Sequence, residues 1–156
     1  MNIRPFRDQD APALARIFHA AVHDVAARHY RADQIAAWAP QVPDPARFVA
    51  RGSDGRILLV AVDQDDVPLA YGDCELNGHI DHLFCRPDHA GTGLAAALYA
   101  ALEAAALGQG IRSLHVEASE PARRFFTKQG FATDARNDFD LGGVAMHNFR
   151  MTKTIG

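Results

Sequence analysis

The sequence predicts an α/β fold on a mixed sheet with antiparallel and crossover parts. Three observations predict it. Three apolar runs, Ile57–Asp63, Val67–Leu76 and His79–Cys85, follow one another across short polar turns, as in a β-meander. Segments of helical spacing then alternate with strand-like runs, which demands crossovers. Finally, the chain has 156 residues, 48% of them hydrophobic and 22% charged, the proportions of one globular domain spanning 1–156. Disorder and collagen-like architecture are excluded on the same ground.

Each element has a local reason. Asn2–Phe6 reads as a short first strand. Asp8–Asp10 offers caps for a helix that carries Leu14, Ile17, Phe18, Ala21, Val22 and Val25 at helical spacing. Asp33 is the expected N-cap of a second helix, Asp33–Trp38, which stops before Pro40. Gln41–Pro45 reads as loop and Ala46–Ala50 as a brief helical turn. Pro68 suits the start or edge of the second meander strand, and Asn77-Gly78 is a strong hairpin signal. A long helix follows Gly91–Gly93, with Leu94, Leu98, Ala101 or Leu102, and Ala105 on one face, and Gly108-Gln109-Gly110 ends it. Ile111–Ala118 is a strand, Ser119-Glu120-Pro121 starts a helix and Gly130 ends it. The strands Phe131–Asp140 and Val144–Lys153 flank Gly142-Gly143.

Charge and composition narrow the function classes. A net charge of −3 argues against binding nucleic acid or anionic membrane by bulk electrostatics, while leaving a local anion site open. Two cysteines, Cys74 and Cys85, are too few for a disulfide framework. The first residues lack a signal-peptide core, and no window reaches the ~18 apolar residues of a membrane span. The expectation is a cytoplasmic protein with reduced thiols. His19 and His23 have metal-compatible spacing, but no third ligand is visible, so no metal is expected.

The central feature is Arg86-Pro87-Asp88-His89-Ala90-Gly91-Thr92-Gly93-Leu94-Ala95, a strand that runs through a glycine loop into a helix. Helix N-termini carry free N–H groups and partial positive charge, and glycines let them close around phosphate oxygens. Neither a nucleotide P-loop nor a Gly-x-Gly-x-x-Gly dinucleotide fingerprint is present.

The loop, the order of elements and the segment Ser119, Ala122, Phe125-Phe126, Gly130-Phe131 resemble the GNAT superfamily of acyl-CoA-dependent N-acetyltransferases. Gly93 and Ala95 match the family's phosphate loop; Ala90 replaces its usual Gln or Arg. The resemblance implies a GNAT-like mixed sheet of about six to seven strands, splayed between the fourth and fifth and flanked by about four helices. It implies acetyl-CoA as co-substrate, with the pantetheine arm against the edge of Leu83, Phe84 and Cys85. Gly91, Thr92, Gly93, Leu94 and Ala95 would hold the pyrophosphate, and Ser119 and Phe126 would contact the pantetheine arm and the thioester end. His29, Tyr30 and Trp38 fall where the family covers its acceptor site.

The implied reaction is direct acetyl transfer in a ternary complex to a primary amine, on a small molecule or a peptide. A homodimer is a further, open implication. Phe126 stands where the family places a tyrosine acid, leaving Tyr30, Tyr71 or Tyr99 as substitutes. His79 falls near a family base position, and Asp81 and His82 are alternatives on the same strand. His79 is equally readable as a plain residue after a turn. Glu117, between Val116 and Ala118, is a base through water, a contact for a cationic amine, or a structural hydrogen-bonding group. Phe126 and Ala90 also keep a rival open, a catalytically weak acyl-CoA sensor or interaction module on the same fold.

Overall fold

The computed structural model describes the backbone of residues 1–156 and all side chains except those of Val25 and Ala26. The expected place of Val25 on the first helix's apolar face therefore lies outside the described residues. In chain order the elements are β1 (Asn2–Pro5), α1 (Ala11–Ala20), α2 (Ala32–Trp38), α3 (Pro45–Gly52), β2 (Ile57–Val62), β3 (Pro68–Cys74), β4 (His79–Ile80) and β5 (Leu83–Cys85). They continue with α4 (Leu94–Gly108), β6 (Ser113–Ala118), α5 (Glu120–Lys128), β7 (Ala132–Leu141) and β8 (Val144–Thr154).

The strands form two four-stranded sheets, β1-β2-β3-β5 and β4-β6-β8-β7. All pairs are antiparallel except β4 with β6. On one face of the first sheet, Leu14, Ile17 and Phe48 from α1 and α3 pack against Leu58, Val60 and Tyr71. On the other face lie Leu94 and Leu98 of α4. Further along, Tyr99, Leu102 and Ala106 of the same helix join the core of the second sheet, with Leu114, Val116, Phe126 and Met151. A helix lodged between two sheets must be apolar over much of its circumference, which accounts for the run Leu94–Ala101.

Several expectations change. The run His79–Cys85 is not one strand. It breaks at Asp81-His82, and its halves join different sheets, so the splay falls between β5 and β6. The expected six or seven strands become eight, the helices number five, and β3 stops at Cys74. The break has a specific cause. Asp73, fully buried in β3, accepts the backbone N–H groups of Asp81 (3.0 Å) and His82 (2.9 Å) on one carboxylate oxygen. Its other oxygen accepts from Arg51 (2.5 Å) and Arg56 (3.0 Å). A side chain thus satisfies donors that a continuous strand would have paired with backbone.

Asp33 is not the N-cap of α2; Arg31 is, and Asp33 accepts from the Gln34 N–H inside the first turn. Ala46–Ala50 belongs to a full helix, α3, capped by Asp44 on the Ala46 N–H at 2.9 Å. The first helix ends its regular α geometry at Ala20 and continues as a π-helical turn, Ala21–Val25. Asn77-Gly78 does turn the chain, and Gly78 has a second duty. Its carbonyl accepts from His115 N–H at 3.0 Å, its φ is +94°, and a Cβ there would strike the Ser113 carbonyl. Only glycine lets the turn sit against β6.

Candidate active site

The splay opens a groove of about 470 Å³ between β5, the glycine loop and α5. Pairing parity decides what β5 offers it. Asp73 N–H donates to the His82 carbonyl and Arg86 N–H to the Leu69 carbonyl, so Phe84 shares that side. Antiparallel strands alternate, which turns the N–H and C=O groups of Leu83 and Cys85 away from β3, toward the groove. At one end, Gly93 caps α4 in the left-handed conformation (φ +84°) and Gly91 is also left-handed (φ +75°). A Cβ at either glycine would meet no atom within 4 Å, so both backbones face open space.

Of the residues expected at the cofactor site, Leu83, Phe84, Cys85, Gly91, Gly93, Ala95, Ser119 and Phe126 line this groove. Thr92 and Leu94 do not. Thr92 bonds back to the His89 carbonyl through its hydroxyl (2.6 Å), and Leu94 is buried in the core. Ser119 caps α5, accepting from Ala122 N–H. The Cys85 thiol is pushed up to about 11 by burial, so it is a poor nucleophile.

A second cavity of about 290 Å³ adjoins the groove. Trp38, Leu83, Phe84, Ser119, Ala122 and Phe126 line both spaces. Tyr30, Asp81, His82 and Glu117 line the cavity but not the groove. His79 lies behind it: its Nε2 is 2.6 Å from Glu117 and its Nδ1 2.7 Å from Glu75, and the ring stacks on His115 at 4.9 Å. His29 lines neither space and sits in a separate bay.

The electrostatics separate three neighbours. Desolvation pushes the Asp81 carboxyl up, but the Arg51 hydrogen bond at 2.6 Å and nearby cations outweigh it, so it stays below the usual range. Desolvation pulls His79 down, and its bonds to Glu75 and Glu117 overcome that, so its pKa is raised. His82 is lowered to about 4, first by desolvation and then by Arg51. Its Nδ1 is 2.9 Å from the Tyr71 hydroxyl, and the ring stacks on Phe18 at 5.4 Å.

His82 carries a stability prediction. Between pH 6.5 and about 4 the unfolded chain binds a proton there and the folded chain does not. Stability therefore rises with pH across that window, by up to about 3 kcal/mol from this group. Denaturant titrations across this range should show a shallower pH slope for His82→Gln than for the parent protein.

Sequence reasoning weighed His82 only as an alternative and missed Asp73, Arg51 and Arg56. Asp73 carried the same signal as Glu117, an acidic residue inside an apolar strand run. The cavity walls Phe139, Leu141, Met146 and His147 come from the last hairpin, whose strands gave no local sign of a site.

Comparison with known proteins agrees with this architecture. The family model described as an acetyltransferase (GNAT) domain matches residues 26–153. The uncharacterized N-acetyltransferase YafP of Escherichia coli (strain K12) is 30% identical over 154 residues, covering 97% of this chain and 94% of that protein. A GCN5-related N-acetyltransferase from Rhodopseudomonas palustris superposes with a TM-score of 0.89 at 35% identity, over 99% of this chain and 95% of the other. YncA from Salmonella typhimurium, solved with its cofactor acetyl-CoA, gives a TM-score of 0.79 at 19% identity, over 100% and 94%. The family match thus takes in both the glycine loop and the strands on either side of the splay, and this chain belongs to the GNAT family of acetyltransferases.

Proposed function

We propose that the protein transfers an acetyl group from acetyl-CoA directly to a primary amine, with both bound at once. The observation that carries this is the meeting of groove and cavity at Leu83-Phe84, Ser119, Ala122 and Phe126. The groove suits the donor. Its glycine loop presents backbone donors beside empty space, and the outward edge of β5 can pair with an amide-bearing arm. Acetyl-CoA supplies a carbonyl bonded to a thiol leaving group. The outward N–H of Leu83 holds the carbonyl oxygen, and a fixed backbone donor does so without reorganisation.

The amine sits in the cavity and must lose a proton, since an alkylamine has a pKa of ~10. Glu117 lines the cavity and takes it, directly or through one water. His79 holds the Glu117 carboxylate in place and links it to Glu75, which gives the proton a route to solvent. A departing thiol has a pKa of ~8.5, so it needs little help near neutral pH. Of the three tyrosines, Tyr30 is the one that lines the cavity. Its hydroxyl accepts from Glu120 N–H at 2.8 Å, and its own proton has no acceptor among the described residues. Tyr71 is engaged by His82 and Tyr99 by Glu103.

The test is a panel of primary amines with acetyl-CoA, following free thiol. Glu117→Gln should lower kcat roughly 100-fold or more at pH 7, the usual contribution of a general base, with acetyl-CoA affinity unchanged. Thiol release from no amine would reject acetyl transfer, and an unchanged kcat would reject Glu117 as base.

A further inference from the structure

We propose that the acceptor amine also carries an oxyanion group, a carboxylate or a phosphate, and that a bay beside the acceptor cavity holds it. This rests on the acetyl-transfer reading and adds the substrate class to it. The bay, about 600 Å³, is lined by Arg28, Arg31 and Arg136 together with His29 and His147. Asp138 is the carboxylate in its lining, and Asp33 and Glu120 pair with Arg31 and His147 from outside it. Three guanidiniums around one space stand against a whole-chain net charge of −3.

The ion pairs in place leave capacity unspent. Arg136 is paired with Asp138 at 3.1 Å and Arg31 with Asp33 at 3.1 Å, and both pairs are exposed. Exposed pairs contribute little and exchange partners readily. Arg28 has no carboxylate partner among the described residues. Guanidinium forks suit carboxylate and phosphate oxygens because they bind two at once.

The arrangement of spaces says what the bay serves. It shares no lining residue with the cofactor groove. It does share Tyr30, Met146 and His147 with the acceptor cavity. Groove, cavity and bay therefore lie in series, with the cavity in the middle. The donor's phosphates have their own place at Gly91 and Gly93, at the opposite end of the series. An anion in the bay belongs to the molecule whose amine reaches into the cavity. The apolar and aromatic walls between, Phe139, Leu141, Met146 and Tyr30, suit an uncharged spacer between its two ends.

Matched amines test this. The probes are 4-(aminomethyl)benzoate against 4-(aminomethyl)benzamide, and 4-(aminomethyl)phenyl phosphate against 4-(aminomethyl)phenol, each followed by thiol release. At least one anionic member should exceed its neutral partner about tenfold in kcat/KM, the effect of one good ionic contact. The stronger of the two pairs identifies the oxyanion. The preference should shrink with added salt. It should fall to about one in the triple variant Arg28→Gln/Arg31→Gln/Arg136→Gln and persist in Arg47→Gln, a control on α3 outside the bay lining. Equal turnover of anionic and neutral partners, or a preference that survives the triple variant, overturns the bay assignment and leaves acetyl transfer standing. Thiol release from no amine, in these pairs or in the wider panel, overturns the acetyl-transfer reading and this inference with it.

Discussion

Replacing Asp73 with alanine should destabilise the protein by about 3–5 kcal/mol, the usual cost of removing one partner from a buried ionic cluster. The carboxylate is fully buried and serves four donors: Arg51, Arg56 and the N–H groups of Asp81 and His82. Alanine leaves two backbone donors without acceptors and takes one carboxylate from each guanidinium, leaving Arg51 with Asp81 and Arg56 with Asp54. At this chain length each kcal/mol moves the melting temperature by about 2–4 °C, so a fall of roughly 6–20 °C is expected. Asp73→Asn, which keeps one acceptor oxygen and the side-chain volume, should lose less. Thermal melts of both variants check the ordering. A melting temperature for Asp73→Ala within ~2 °C of the parent would show that the cluster does not hold the strand break.

Loss of acetyl-CoA binding in Gly93→Val is the second large effect. Gly93 caps α4 at φ +84°, where a β-branched residue carries a strain of order 1–3 kcal/mol. Beyond its two chain neighbours no atom among the described residues lies within 4 Å of the added Cβ, so no clash within the fold adds to the strain. What the side chain fills is the open space in front of the α4 N-terminus, where the pyrophosphate would approach. The variant should fold with a modest fall in melting temperature and lose the upward shift that saturating acetyl-CoA gives the parent protein. That shift is about 2.7 kcal/mol in stability at a hundred times Kd. A shift of parent size in the variant would remove the phosphate role from this loop. The two experiments address opposite ends of β5: Asp73 the break that frees it, Gly93 the loop that follows it.

The sequence by itself determined a good deal. The apolar runs with their turn residues located nearly every strand, because side-chain alternation and turn chemistry are local properties. Ser119 and Gly93 mark helix starts for the same reason, whereas the segment of Asp44 reads as loop and its cap on α3 shows only in the fold. The glycine loop was legible because a strand-to-helix turn with left-handed residues needs glycine at fixed positions next to a helix start. Most of the expected groove residues do line the groove, whereas Thr92 and Leu94 turn away from it.

Tertiary structure alone decided the rest. His79–Cys85 reads as one strand in sequence, and only a carboxylate from β3 and two arginines from elsewhere in the chain divide it. His79 and His82 lie three residues apart with one intrinsic pKa, yet their environments move them in opposite directions, the first toward two glutamates and the second beneath Phe18 and Arg51. Net charge could not disclose that Arg28, Arg31 and Arg136 share one bay, since they come from segments over a hundred residues apart. Strand runs, helix caps and glycine turns depend on neighbours along the chain, so the sequence carries them. Strand breaks, pKa shifts and charge clusters depend on neighbours in space, which exist only once the chain has folded.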